Sequence, residues 1–253
     1  MNKLYLGFLV ALFAFWSHQA KASDVVILLH GITQSPNSMK PMEYALKKKG
    51  YITYNLSYKS TKQTIHTSAV EISKQITTQN IWDHATQVHF VTHSMGGLVV
   101  REYLNTYKDQ IPRNKLGRVV MLAPPNGGSE IADFMNGFFP YTAFYGPAGY
   151  ELTTEYQVSK KYIPYYDLGI ITGSKGWPYV FANFMLEGEN DGRVRIESAK
   201  MKGMKDHVTL PATHAFISWK PSVQKQVIHF LKNGKFSQAH ISSHKINPYN
   251  YNK

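Results

Sequence analysis

An alternating α/β fold with a mainly parallel sheet and helices on both faces is what this sequence predicts. Three observations carry that expectation. Short, wholly apolar runs such as Val25–Leu29 and Val88–Val91 stop abruptly at polar or glycine corners, the habit of strands buried on both faces. Segments between them carry apolar residues at helical spacing, as in Ile65, Ala69, Ile72 and Ile76. The 253 residues are 43% hydrophobic and 17% charged, enough apolar side chain for one sizeable core, and no linker-like stretch divides them.

Taken in order, Val25–Leu29 reads as the first strand, closed by His30-Gly31. Ser35-Pro36-Asn37-Ser38 opens a helix whose apolar face is Met39, Met42, Ala45 and Leu46, and Gly50 ends it. Tyr51 to Tyr58 is β-rich, and Ile65 to Ile76 is the next helix. Val88 to Val91 is a buried strand with helix from Leu98 to Leu104 beyond it, and Arg118 to Ala123 is a strand ended by Pro124-Pro125. Leu168 to Ile171 and His207 to Leu210 are the later strands, and Val223 to Leu231 is a closing helix that Gly234 terminates. Repeated βα units of this kind imply a parallel sheet.

Three segments stand outside the alternation. Met1–Lys3 is a short basic start, Leu4 to Trp16 is almost unbroken apolar chain, and a polar stretch follows that ends in Ala20-Lys-Ala22. These are the three parts of a secretory signal peptide, with cleavage expected after Ala22. The apolar run is shorter than the roughly 20 residues of a membrane-spanning helix. The expected organisation is therefore a signal peptide over 1–22, one domain over 23–235 and a polar tail over 236–253, with the protein exported to the periplasm or the medium. Residues 127–166 are poor in strand pattern and rich in rings, among them Phe134, Phe138, Phe139, Tyr141, Phe144 and Tyr145.

Composition excludes some chemistries. With no cysteine there is no thiol nucleophile, thiolate metal site or disulfide, so the core must hold by packing alone. The eleven histidines show no paired-ligand spacing, and no metal is expected. The formal charge of +12 is spread along the chain, with small clusters at Lys47–Lys49 and Lys200–Lys205, which reads first as a solvated face. Peripheral contact with an anionic membrane or lipid surface is the second reading. No nucleic-acid-binding motif accompanies the charge, so no nucleic-acid partner is expected.

The chemistry-bearing stretch is Phe90-Val-Thr-His-Ser94-Met-Gly-Gly97-Leu, a polar break between a buried strand and a buried helix. In a parallel sheet, ligands bind beyond the carboxyl ends of the strands, and Ser94 is placed at such an end. A sharp strand-to-helix turn there lifts a hydroxyl clear of the sheet, with Gly96 and Gly97 giving clearance behind it. A helix N-cap is the other role a serine fills at this position. A nucleophilic serine needs a base to take its proton and a third group to hold the base.

This stretch resembles the Gly-x-Ser-x-Gly nucleophile elbow of the α/β-hydrolases, with Thr92 standing at the first glycine position. Leu28-Leu-His30-Gly31, Leu122-Ala-Pro-Pro-Asn126-Gly-Gly-Ser129, Glu189-Asn-Asp191-Gly-Arg-Val194 and Pro211-Ala-Thr-His214 follow in the order seen in bacterial lipases and esterases of that fold. They are also similar to GPI-inositol-deacylase-like and lecithin acyltransferase-like branches. The likeness covers most of Val25 to Leu231. It implies the α/β-hydrolase fold, with Ser94 as nucleophile, Asp191 as the acid and His214 as the base. Glu187, Glu189, Asp167 and Asp206 are the competing acids, and His93 and His207 the competing histidines.

The same resemblance implies an oxyanion hole built from the backbone amides of Ile32 and Met95, and carboxylic-ester hydrolysis through an acyl-Ser94 intermediate with no required cofactor. The substrate would be a small-molecule or lipid ester. Acyl transfer, thioester or amide cleavage, and a non-catalytic binding scaffold are the alternatives. The aromatic segment falls where the family inserts a cap or lid, so that Phe134, Phe138 and Phe139 would line an acyl-binding wall; filling of the core beneath a compact loop is the other reading of the rings.

Overall fold

The computed structural model describes residues 23–160, 162–177 and 186–238; the expected signal peptide and all of the tail beyond 238 lie outside them. Six strands form one sheet: β1 (Val25–Leu29), β2 (Ile52–Leu56), β3 (Val88–His93), β4 (Leu116–Leu122), β5 (Leu168–Gly173) and β6 (Asp206–Leu210). All five pairings are parallel, in the order β2-β1-β3-β4-β5-β6. A parallel sheet with helices on both faces is the architecture that the sequence predicts, and its resemblance to the α/β-hydrolases implies the same.

Strand order explains where a site can form. The chain leaves β1 on one side to make β2, then returns past it to make β3 on the other. Helix α1 (Lys40–Lys47) covers one face on the way out, and α2 (Ile65–Thr78) covers the opposite face on the way back. A crevice opens between the carboxyl ends of strands whose connections diverge in this way. Here that crevice lies between His30 after β1 and Ser94 after β3.

Alternation along the strands divides the core in two. Val25, Ile27 and Leu29 point with Val88 and Phe90 toward α2 and α4 (Met95–Thr106), and the single turn α3 (Ile81–His84) lies between these helices in sequence. Val26, Leu28, Val91, Val120 and Leu122 point toward Met39, Met42 and Leu46, and toward the last helix, Pro221–Asn233, through Val223, Val227 and Phe230. Helix α2 begins where the Thr64 hydroxyl accepts the Thr67 amide at 3.0 Å, and Ile65, Ala69, Ile72 and Ile76 form its buried stripe. Packing extends past the expected domain end: Phe236 is buried against Phe230, and its amide donates to Asp206 Oδ2 at 2.7 Å.

Between β4 and β5 the chain forms a helical excursion, α5 (Glu130–Met135), α6 (Phe139–Glu151) and α7 (Thr154–Ser159). Helix α6 is two short helices joined at Gly146, which is non-helical and precedes Pro147. The rings of this excursion differ in burial. Tyr141 is buried, stacked on Tyr145 at 4.5 Å, whereas Phe134, Phe138, Phe139 and Phe144 are exposed. No helix among the described residues is long and apolar enough to cross a membrane.

Candidate active site

Ser94 occupies the corner between β3 and α4 with φ 52° and ψ −126°, a conformation that costs an L-residue energy and that the surrounding packing must impose. Its own amide is held by the Leu122 carbonyl at 2.8 Å. The tightest point of the corner is Gly96. A Cβ there would lie 2.7 Å from the main-chain oxygens of both Leu29 and His30, so only glycine lets α4 pass this close to the end of β1. Thr92 sits fully buried within β3, opposite Leu29 and Met121, and the turn forms with threonine in place.

Two other loops converge on the serine. His214 Nε2 lies 3.0 Å from Ser94 Oγ, and His214 Nδ1 lies 2.8 Å from Asp191 Oδ2. The His214 amide also donates to the Asp191 carbonyl at 2.9 Å, so main chain as well as side chain joins the two loops. Asp191 is held in turn by its own loop: Oδ1 accepts the amides of Arg193 and Val194 at 3.0 and 2.9 Å. The Asn190 side chain accepts the Gly192 amide at 2.9 Å. Asp191 is 1% exposed and His214 5%, so the carboxylate sits behind the imidazole and away from water.

All the competing residues except His93 lie elsewhere. Asp167 pairs with Arg118 and Lys205 at the amino end of β5. Asp206 accepts the amides of His207 and Phe236, and His207 meets the Thr172 hydroxyl at 3.0 Å. Glu187 and Glu189 are exposed. His93 is in the site but in a different place from His214. Its Nδ1 lies 2.8 Å from Gln34 Oε1 and its Nε2 lies 3.0 Å from the His214 carbonyl oxygen. Burial, and next the neighbouring His214, hold its pKa well below the usual histidine value, so the ring is neutral.

On the β1 side the loop after His30 is pinned amide by amide. Gly31 donates to Gln34 Oε1 at 3.1 Å, Thr33 to the Ser60 hydroxyl at 3.2 Å, and Gln34 to the Gly31 carbonyl at 3.3 Å. Below them Tyr58 stacks on the His30 ring at 4.4 Å, and its hydroxyl donates to the His30 carbonyl. The Ile32 amide donates to none of the described residues. The Met95 amide lies in the first turn of α4, where backbone donors have no intrahelical acceptor. Ile32 lines the cleft, and Met95 follows Ser94 directly in the chain.

The resulting cleft measures about 190 Å³. Among the described residues it is lined by Gly31 to Gln34, by His93 and Ser94, and by Arg193, His214 and Ala215. Phe134, Phe138 and Phe139 are not among its lining residues and stand on the exposed side of the helical excursion. Among the described residues no three His, Asp or Glu side chains converge as a metal would require.

Sequence reading passed over a buried group that braces the site. Arg101, 4% exposed on α4, donates to Asn126 Oδ1 at 3.0 Å and to the Gln157 side chain of α7, and Asn126 donates to the Ala199 carbonyl at 2.9 Å. One cation thereby ties α4, the exit of β4, the helical excursion and the chain at Ala199 together. The available signal was a charge inside the apolar run Leu98-Val-Val-Arg101.

A family model described as palmitoyl protein thioesterase matches residues 25–163, which include Ser94 and end before Asp191 and His214. No curated protein matches the chain significantly. Among solved structures, the lipase BlEst2 of Bacillus licheniformis in its mature form is similar with a TM-score of 0.68 at 20% identity, covering 85% of this chain and 94% of that one. A metagenomic carboxyl esterase, MGS0156, follows with a TM-score of 0.60 at 18% identity, over 77% of this chain and 65% of its own. Phospholipase PlaB from Legionella pneumophila gives 0.57 at 20% identity, over 70% of this chain and 45% of its own. At these identities the structural likenesses establish a shared fold.

Proposed function

Because the chain belongs to the palmitoyl protein thioesterase family of α/β-hydrolases, we propose that it is a serine hydrolase cleaving carboxylic esters through an acyl-Ser94 intermediate. The observation that carries this is the continuous relay from Ser94 Oγ through His214 to Asp191, 3.0 and then 2.8 Å, in a cleft that exposes the hydroxyl side. Asp191 holds His214 with Nδ1 protonated and Nε2 facing the serine, the tautomer a general base requires.

His214 Nε2 takes the Ser94 proton as Oγ attacks the ester carbonyl. The tetrahedral oxyanion receives the amides of Met95 and Ile32, donors already in place before the reaction. Collapse expels the alcohol, which leaves with the proton from His214. Water then repeats the sequence on the acyl-enzyme, releasing the acid and restoring Ser94. Each step uses side chains and amides of this chain.

The family match favours a second reading in which the scissile bond is a thioester, since that is the activity its description names. The same triad serves both, and the leaving group decides. We propose further that the substrate is a lipid or other small ester, as the lipase and phospholipase neighbours support, with Phe134, Phe138 and Phe139 meeting its apolar part. Export through residues 1–22 belongs to the same proposal. Strand β1 starts at Val25, beyond the expected cleavage after Ala22, so removal of the leader leaves the sheet whole.

The test is hydrolysis of p-nitrophenyl esters of increasing acyl length, and of matched thioesters, by the chain from Ser23 onward, beside Ser94→Ala. Turnover by the parent and none by the variant is the expected result, and the ester-to-thioester ratio decides between the two readings. Absence of turnover in folded protein would overturn both.

A further inference from the structure

One helical layer carries lysines and exposed rings together, and it borders the loop of His214. It consists of the short helix Pro36–Met39, α1, the 3-10 helix His214–Trp219 and the last helix, Pro221–Asn233, packed beside one another over one face of the sheet. We propose that the outer surface of this layer is a docking surface for an anionic lipid bilayer. The inference goes beyond ester hydrolysis at Ser94, and its test reads binding rather than turnover.

The charge of the layer has one sign. Residues 35–49 and 214–235 hold eight lysines and a single acid, Glu43, so its net charge is strongly positive. Glu43 is already engaged: Lys47 reaches its Oε1 at 2.6 Å, and the Asn55 and Thr53 side chains donate to its carboxylate. Lys40, Lys48, Lys49, Lys220 and Lys225 are exposed. Residues 207–253 contain no aspartate or glutamate, so the polar tail brings none to neutralise them. An anionic lipid surface attracts each such lysine within a Debye length.

Rings stand among these charges. Phe216 and Trp219 are 49% and 50% exposed and meet edge to face at 5.6 Å. They are three residues apart in a 3-10 helix, where such positions eclipse, so both rings emerge on one side. Trp219 Nε1 donates to the Ser38 carbonyl at 3.0 Å and the Ser218 hydroxyl to the same oxygen at 2.9 Å, which ties the pair to the chain entering α1. Tyr44 of α1 is exposed, with the Lys48 ammonium 4.4 Å from its ring centre. Rings with a polar tip, set beside lysines, suit the headgroup layer, where the apolar body is buried and the polar end stays wet.

The helical excursion supplies the contrast. Its exposed Phe134, Phe138 and Phe144 belong to residues 130–159, a segment with four acids and no lysine or arginine. An anionic bilayer attracts the first surface and repels the second, so charge selects between the two sets of exposed rings. The selected surface is next to the chemistry. Ala215, which lines the cleft, stands between His214 and Phe216, and Gln34 lines it just before the helix Pro36–Met39 begins. Docking there brings the loop of His214 to the lipid–water boundary, where an ester anchored in the bilayer presents its polar end.

The experiment is co-sedimentation of the chain from Ser23 onward with vesicles of phosphatidylcholine alone, and of phosphatidylcholine mixed two to one with phosphatidylglycerol. Partitioning onto the anionic vesicles should be about a hundredfold stronger at low salt and should fall steeply as salt is added. Lys40→Glu, Lys220→Glu and Lys225→Glu combined should remove most of that preference, since each lysine near an anionic surface contributes about fivefold. Lys62→Glu, Lys74→Glu and Lys108→Glu change the net charge equally, on or beside α2 and α4 on the opposite side of the sheet, and should keep most of it. Phe216→Ser with Trp219→Ser should weaken binding about tenfold at unchanged salt dependence. Brominated lipid should quench tryptophan emission in the wild type, and Trp219→Phe should remove that quenching while binding persists.

Equal partitioning onto neutral and anionic vesicles, or none onto either, would overturn the assignment. So would equal losses in the two lysine triples, which would show an effect of net charge rather than of this surface. Quenching that survives Trp219→Phe would place another part of the chain in the bilayer and also overturn it. Capture by duplex DNA that depends on Lys40, Lys220 and Lys225, with vesicle binding indifferent to Phe216 and Trp219, would make the surface a general polyanion site instead. Turnover of soluble p-nitrophenyl esters is the separate readout and should be the same in the Lys40, Lys220 and Lys225 triple as in the wild type. Its absence from folded wild-type protein would remove the hydrolase reading and leave the docking surface standing on the binding data.

Discussion

At the Ser94 corner every residue of Val25–Leu29 and of Val88–His93 is buried, and the turn between strand and helix leaves no room for one added carbon at Gly96. Across residues 130–159, by contrast, Phe134, Phe138, Phe139 and Phe144 stand exposed, and the helices are short and broken at Gly146. The corner is specified by packing on all sides, so its geometry cannot drift. The helical excursion is tied to the rest of the domain mainly through side chains: Gln157 to Arg101, Tyr145 to Arg193, Glu151 to the Ile65 amide, and Glu130 to Arg195. The difference separates the chemistry, which demands fixed distances, from the surface around it, which can vary without disturbing them.

The sharpest way to break this contrast is at the acid. Asp191→Asn keeps an oxygen for the amides of Arg193 and Val194 but favours the wrong His214 tautomer. It should lower kcat by about 10⁴ with circular dichroism unchanged. A comparable loss from any cap substitution would contradict the division.

Acid pH probes the core at the other end of the same strand. His89 in β3 is 1% exposed, accepts the Arg118 amide through Nδ1 at 2.8 Å, and is pushed down to about 4. Burial dominates the shift, with Asp24 opposing it and Arg118 adding to it. The folded-state value is depressed, so the unfolded chain binds a proton that the folded one refuses as pH falls below about 6.5. Stability should therefore drop by about 3 kcal/mol between pH 6.5 and 4, and His93 acts in the same direction. The cap has no histidine between 130 and 159. Urea unfolding of the wild type and His89→Gln across that range is the check, and the variant should show a shallower fall.

Glycine substitutions compare the two regions directly. Gly96→Ala meets two main-chain carbonyls at 2.7 Å and should cost about 1–3 kcal/mol in stability while also lowering kcat. Gly128→Ala, at φ +93° and 2.3 Å from Thr154 Cα, is at least as strained locally. Because it only seats the cap, its effect should show as faster amide exchange over residues 130–159 with the β1 and β3 amides still protected. The smallest effect is expected at the exposed rings. Phe134→Ser and Phe138→Ser should each change thermal stability by under about 0.5 kcal/mol, while KM for long-chain esters rises more than KM for acetate.

Most of the core was readable because its rules are local and periodic. Val25–Leu29 and the Ile65 stripe announce themselves by apolar spacing, and the Ser94 corner by a strand, a polar break and glycines. Asp191 and His214 were found through family order, and the structure brings both to Ser94 across more than ninety residues of sequence. Thr92 looked anomalous only because a pattern of five letters was applied; the tight contact is at Gly96.

What was not legible depends on distant partners. Arg101, Asn126 and Gln157 form one hydrogen-bonded group from three separate segments, and no spacing rule links them. Gln34 and His93 likewise meet only because β1 and β3 are neighbours. The placement of the rings was undecidable by composition, since Tyr141 and Phe144 lie three residues apart with opposite fates.

Covalent acylation of Ser94 is the step on which the proposed hydrolysis depends, and trapping the adduct on Ser94 is the decisive measurement. The chain from Ser23 onward would be treated with a fluorophosphonate or a slow p-nitrophenyl ester and its intact mass recorded, followed by peptide mapping. A single adduct is expected on the peptide carrying Ser94, absent from Ser94→Ala and slowed in a His214→Ala variant. An unmodified folded protein, or an adduct on another residue that persists in Ser94→Ala, would contradict it.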